Sequence, residues 1–270
     1  MLWEELTAAE FAGAAASTRG TCLVPLGVLE KHGDHLPLGT DLLNVRALAI
    51  RAAAIEPAIV FPPYYFGQIC EARHQPGTLA FGEELLLGAL RGVCAEIARN
   101  GLKKIILVNG HGGNCHMLHY FAQMMLDETR DYVVYLADLD AVRPPEALAL
   151  IENKDGGHAD EGETSVMLAH RPDLVKLDRA DVEDGRPRLR LRNLRGAYTG
   201  IWWYADYPGQ QAGDPTRATA EKGRRMLELG AASLAKLIAA VKEDTVAAEL
   251  QEEFYRRALE PLGQAKDRRF

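Results

Sequence analysis

The sequence predicts an α/β fold, a three-layer αβα sandwich around a mostly parallel sheet. Two observations carry this. Short β-branched apolar runs alternate along the chain with longer stretches whose apolar residues recur at three and four, and such alternation implies a parallel sheet covered on both faces. With 47% hydrophobic and 26% charged residues, the 270-residue chain also has enough apolar material for a substantial core.

In chain order, strands are expected at 21–26, 58–61, 104–108 and 132–136. Between them, "LLNVRALAIRAAAI" (42–55), "EELLLGALRGVCAEIARNG" (83–101) and "NCHMLHYFAQMMLDE" (114–128) read as helices. The second of these ends on Asn100-Gly101, a C-cap signal. A short helical pattern begins at Thr164. From 171 to 213 the chain turns charged and irregular, which predicts extended segments or an ordered functional loop. Asp214-Pro215-Thr216 has the form of a helix start, for a helix running to about Lys242. The C-terminal "LQEEFYRRALEPLGQAKDRRF" reads as one more helix and a polar tail. No internal repeat or linker divides residues 1–270, so a single domain is expected.

A formal charge of −7 argues against a partner that tracks phosphates, so no nucleic acid is expected. No apolar run approaches the roughly 20 residues that span a bilayer, so no membrane is expected. Cys22, Cys70, Cys94 and Cys115 form no CxxC pair, which suits reduced thiols in a cytoplasmic protein.

Chemistry concentrates at three places. "GVLEKHGDHLPLGTD" (27–41) crowds Glu30, His32, Asp34, His35 and Asp41 beside the end of the first strand. A solvated loop has no need of two imidazoles and a core strand would not tolerate three acids, so a metal site is the expectation. "NGHGGN" (109–114) follows the third strand, its glycines letting the backbone turn tightly around His111. It matches neither GxGxxG nor the P-loop pattern, which leaves phosphate binding the lesser alternative. "GGHADEGETS" (156–165) puts His158 before Asp160, Glu161 and Glu163. Those acids also suit a helix N-terminus, but the helix dipole does not account for the histidine.

Together these loci resemble the creatininase (creatinine amidohydrolase) family. Its pattern E-x-H-G-x-H-L-P-x-x-T-D stands here as residues 30 to 41, N-G-H-(x)-(x)-N as 109 to 114, and H-A-x-x-x-E-T-S as 158 to 165; "HQPGT" (74–78) and "GDPTRATAEKG" (213–223) are lesser matches. The resemblance implies two divalent metal ions, Zn²⁺ and/or Mn²⁺, with Glu30 and His111 on one, His32 on the other and Asp41 bridging both. Hard oxygen plus imidazole donors suit those ions. The creatinine-hydrolysing type takes a further ligand from a Glu where this chain has Gly113. Glu163 is expected to fill that gap. Lys31, Asp34 and Asp160 also depart from the usual residues, which sets creatinine specificity in doubt.

The activity implied is a hydrolase in which a hydroxide bridging the metals attacks the carbonyl or amide carbon of a small cyclic or formyl amide. His158 is the expected acid–base shuttle for the leaving nitrogen, with a loop hydrogen-bonding role as its alternative. Ring opening of an inositol-derived ketone, a non-catalytic metal-stabilised binding protein and a two-metal phosphoesterase are the competing readings. Lys31 or Arg73 would serve a phosphate only weakly. His35 is expected to orient a ligand or a loop, and His74 to face the pocket. His116, His119 and His170 read as bland. Trp202, Trp203 and Tyr204 either line a pocket for a small molecule or pack their loop against the domain or a second subunit. The family resemblance further implies a homo-oligomer, a hexamer.

Overall fold

A computed structural model describes residues 1–194 and 196–262, so residues 263–270 of the expected polar tail lie outside the described residues. Four parallel strands form its sheet: β1 (Thr21–Leu26), β2 (Ile59–Val60), β3 (Lys104–Asn109) and β4 (Val133–Ala137), in the order β2-β1-β3-β4. The helices among the described residues are α1 (Ala8–Ser17), α2 (Thr40–Ile55), α3 (Glu83–Arg99), α4 (Asn114–Met124), α5 (Leu139–Val142), α6 (Pro145–Leu148), α7 (Glu161–His170), α8 (Trp202–Asp206), α9 (Ala220–Glu243) and α10 (Val246–Leu259). None is long and apolar enough to cross a membrane.

Alternate residues of the strands feed two cores, as the period of two in a strand requires. Cys22, Val24, Leu26, Ile105 and Leu107 face Leu90, Cys94 and Ile97 of α3 and Leu118 and Phe121 of α4. Leu23, Ile106 and Val108 face the opposite way, onto Val45, Leu48 and Ala52 of α2 and Leu227, Leu234 and Ile238 of α9. The predicted three layers are present.

Pro25 sits in the central strand β1, where a missing N–H would ordinarily break a ladder. Here it does not. The odd-numbered groups of β1 point toward β2, as Phe61 N–H donating to Leu23 O and Gly27 N–H donating to Tyr64 O show. β2 has already ended at Val60, so no carbonyl of that strand waits opposite Pro25. Pro62-Pro63, one residue beyond its end, also explains why the strand expected at 58–61 is cut short on that side.

Two helix starts differ from expectation. α7 begins at Glu161, because the Asp160 carboxylate caps it by accepting Glu163 N–H at 3.0 Å. α9 begins only at Ala220, capped by Thr219. The Asp214-Pro215-Thr216 signal makes a local turn instead, Thr216 N–H donating to the Asp214 carboxylate at 2.8 Å. The 171–213 stretch contains no strand among its described residues; it holds two 3₁₀ turns and the short α8.

Candidate metal centre

The chain runs from β1 outward to β2, then returns to the other side of β1 for β3. The reversal places the carboxyl ends of β1 and β3 side by side, with Leu26 paired to Asn109. A parallel sheet opens its binding crevice at such a switch point. The loop after β1 carries Glu30, His32 and His35 and enters α2, whose first turn holds Asp41. At Gly27 the loop passes so close to this helix that a Cβ there would lie 2.4 Å from Leu42 N. The loop after β3 carries His111. The N-terminal turn of α7 contributes Glu163, with His158 just before it.

All five expected ligands converge on one cluster, in which Glu30, His32, Asp41 and His111 are buried and Glu163 is half-buried. His111 Nδ1 lies 2.9 Å from Glu30 Oε1 and 2.8 Å from Asp41 Oδ2. His32 Nε2 lies 3.1 Å from Asp41 Oδ1 and 3.6 Å from Glu163 Oε2. Glu30, Asp41 and His111 thus form one group and His32, Asp41 and Glu163 another, each with donor atoms within 4.8 Å of one another. Asp41 gives one oxygen to each. A third overlapping group joins Glu30, His32 and His158, whose Nε2 stands 3.8 Å from Glu30 Oε2.

Backbone carbonyls fix how the imidazoles face. His32 Nδ1 donates to Glu30 O at 3.2 Å and His111 Nε2 donates to Gln68 O at 2.9 Å. A carbonyl only accepts, so each of those nitrogens keeps its proton and the other nitrogen is turned to the carboxylates. Burial lowers the proton affinity of His32, but Asp41, Glu163 and Glu30 outweigh it and raise the pKa to about 10. His111 is likewise raised, Glu30 and Asp41 overcoming its burial. Asp41, between both rings, is held well below the usual carboxylate range although burial works against this. Burial raises Glu163 despite the neighbouring His32.

This donor set fits a pair of divalent cations. Glu30 Oε1 and Asp41 Oδ2 are buried, and although His111 Nδ1 is close to both, neither contact has hydrogen-bond geometry, which leaves their lone pairs turned to a common point. Each group supplies one imidazole and carboxylate oxygens, a Zn²⁺- or Mn²⁺-type set. Gly113 is a glycine for steric reasons as well. A Cβ there would lie 2.5 Å from His111 Nε2 and 2.8 Å from Gln68 O, so a longer side chain would displace the carbonyl that orients His111.

His158 sits beside the groups, its ring tilted 33° against that of His32 with centroids 4.1 Å apart. Its Nε2 donates to Lys31 O at 2.9 Å, and its backbone pairs with Ala212. Trp203 meets the outer edge of the ring perpendicularly at 5.6 Å, itself tied to Gln210 Oε1 at 2.9 Å. The irregular segment therefore returns to the site, through Trp203. Trp202 and Tyr204 stay exposed. His35 Nε2 bonds Thr164 Oγ1 at 3.1 Å, and burial with His32 nearby lowers its pKa to about 4, which keeps it neutral. His74 bonds Pro208 O, His170 bonds Asn44, and His116 and His119 are exposed on α4. Lys31 pairs with Asp34 at 3.0 Å.

Sequence reasoning missed Gln68 and the Asn114 carboxamide that holds it, accepting Gln68 N–H at 2.9 Å. A contribution made by a carbonyl has no residue-type signal. It also missed a cavity of about 90 Å³ that Asp41 and Glu163 line together with residues of α2, α5, α6, α7 and α9.

The model of the creatininase family, described as creatinine amidohydrolase, matches residues 4–238. A creatinine amidohydrolase of Pseudomonas putida is 32% identical over 191 residues, 65% of this chain and 74% of that protein. A mycofactocin precursor peptide peptidase of Mycolicibacterium smegmatis is 34% identical over 220 residues, 76% of this chain and 78% of that one. A 3-dehydro-scyllo-inosose hydrolase of Thermotoga maritima is 27% identical over 255 residues, 84% of this chain and 79% of that one. A solved creatininase is 26% identical, with a TM-score of 0.78 over 90% of this chain and 98% of its own. Solved creatininases of a Zn-Zn type and with Mn superpose with TM-scores of 0.77 and 0.76, at 26% and 25% identity. Each covers 90% of this chain, which in turn spans 98% and 99% of theirs.

Proposed function

The chain belongs to the creatininase family of metal-dependent hydrolases that act on amide bonds, and on that premise we propose that it hydrolyses a small cyclic or formyl amide at a dinuclear centre. Glu30, Asp41 and His111 would hold one divalent ion, and His32, Asp41 and Glu163 would hold the other. The observation that carries this reading is the pair of carbonyl-oriented imidazoles that share the two oxygens of one buried carboxylate. When bound, the ions supply an activated water and a polarised carbonyl.

The chain's own residues do the rest. His158, whose Nε2–H donates to Lys31 O beside Glu30, is the acid–base group that would accept a proton as the water attacks and return one to the departing nitrogen. The adjoining ring of His32 and the edge contact of Trp203 restrain the plane of that imidazole. His35, neutral and bonded to Thr164, ties the first loop to α7 and so holds His32 and Glu163 at one spacing. Ring opening of a cyclic ketone is the second reading, favoured by the likeness to the inosose hydrolase over 84% of the chain.

The test is turnover of lactams, formamides and cyclic ketones by protein stripped with a chelator and then reloaded with Zn²⁺ or Mn²⁺. Activity on an amide should vanish on stripping and return on reloading. Turnover that survives complete metal removal would contradict the proposal, and turnover of ketones alone would select the second reading.

A further inference from the structure

The cavity of about 90 Å³ beside the centre carries one cationic side chain, Arg143. We propose that this guanidinium receives a carboxylate, so that the amide hydrolysed is a small one bearing a carboxylate a few bonds from the scissile carbon. The proposal rests on the hydrolase reading, because Asp41 and Glu163 line the same cavity and join it to the reacting centre.

Arg143 is held in place. It caps α5, its N–H donating to Leu139 O at 2.7 Å, and Pro144 and Pro145 follow directly. It is half-buried, and its side chain forms no ion pair with any described carboxylate. A guanidinium that lines a cavity and is not engaged in an ion pair is free to bind a ligand's carboxylate, even with Asp41, Asp160 and Glu163 on the same lining. Most of the other lining residues, such as Leu48, Val142 and Met226, are apolar, with Asn44, Asn109 and Asp160 the polar ones, so the part of the ligand between the two ends is mainly hydrocarbon. Asp160 also lines the cavity, which favours a singly charged carboxylate over a doubly charged phosphate.

Two probe pairs test this: pyroglutamate against its carboxamide, and N-formylglycine against N-formylglycinamide. Affinity for the metal-loaded protein is read by calorimetry, or as KM where a probe is turned over. Each carboxylate should bind about tenfold or more better than its neutral partner, the usual scale for a hydrogen bond to a charged group. Arg143→Gln should abolish that difference and Arg143→Lys should restore part of it. Equal binding within each pair in the wild-type protein overturns the proposal, as does a preference that survives Arg143→Gln. Hydrolysis of neutral amides as fast as their carboxylate partners would leave the hydrolase reading standing and remove this one. Arg143-dependent binding without any turnover would do the reverse.

Discussion

A backbone carbonyl decides which nitrogen of His32 and of His111 faces the carboxylates, and this has a measurable consequence. Metal-free protein keeps both imidazoles charged at neutral pH, because Asp41, Glu163 and Glu30 outweigh burial. The His32 proton stays bound until the pH approaches about 10, so cation binding below that pH must displace it. Metal affinity should therefore rise with pH, and calorimetry in buffers of different ionisation enthalpy should register about two protons released per loaded centre. Release of none would mean that the rings are not ligands. His158 makes a separate prediction: His158→Gln should lower kcat by about 10²–10⁴-fold, the range of a general acid–base, with metal content unchanged. A variant that instead loses metal would make His158 a ligand, as its grouping with Glu30 and His32 allows. At this scale much was legible in the sequence, since each loop is a contiguous stretch that announces its ligands. Gln68 was not, because it acts through a carbonyl that every residue possesses. For Trp203, the aromatic cluster was visible, but which of its members touches a histidine depends on the path of the loop.

The helix that brings Glu163 is anchored by its neighbour in sequence. Glu161 is fully buried at the first turn of α7, accepting Asn153 N–H at 2.8 Å, Glu152 N–H at 3.0 Å and the Lys222 ammonium of α9 at 2.6 Å. Burial raises its pKa, but Lys222 and those two N–H groups outweigh this and hold the carboxyl below its ordinary value. A depressed carboxyl stabilises the fold above its unfolded pKa and loses that contribution as the pH falls through the folded value. Lys222→Met should thus destabilise the protein by about 1.5–3 kcal/mol at neutral pH, and the gap should narrow on acidification. Thermal unfolding between pH 3 and 7 reads both effects; equal melting temperatures at pH 7 would show that the pair does not hold α7. The acids at 160–163 were expected either at a helix start or at a metal, and they divide between the two. Asp160 caps, Glu161 anchors and Glu163 turns inward. That division was illegible because it depends on α9 packing across α7, which local pattern does not encode. The displaced start of α9 has a local cause, since Asp-Pro-Thr suits an Asx turn as well as a first helical turn.

For the whole molecule, alternation of strand and helix was enough to expect three layers, and the apolar runs named the strands within a residue or two. Strand order was not legible, because four similar runs do not say which lies beside which. Yet it is the order β2-β1-β3-β4 that brings residues 30, 111 and 163 to one crevice. The central claim is that this topology builds a centre for two ions around a shared Asp41. Anomalous diffraction from crystals of Zn²⁺-loaded protein tests it most directly. Two peaks are predicted, one against Glu30, Asp41 and His111 and one against His32, Asp41 and Glu163, with Glu163→Gln weakening only the second. A single peak in the wild-type protein, or metal bound away from Asp41, would contradict it.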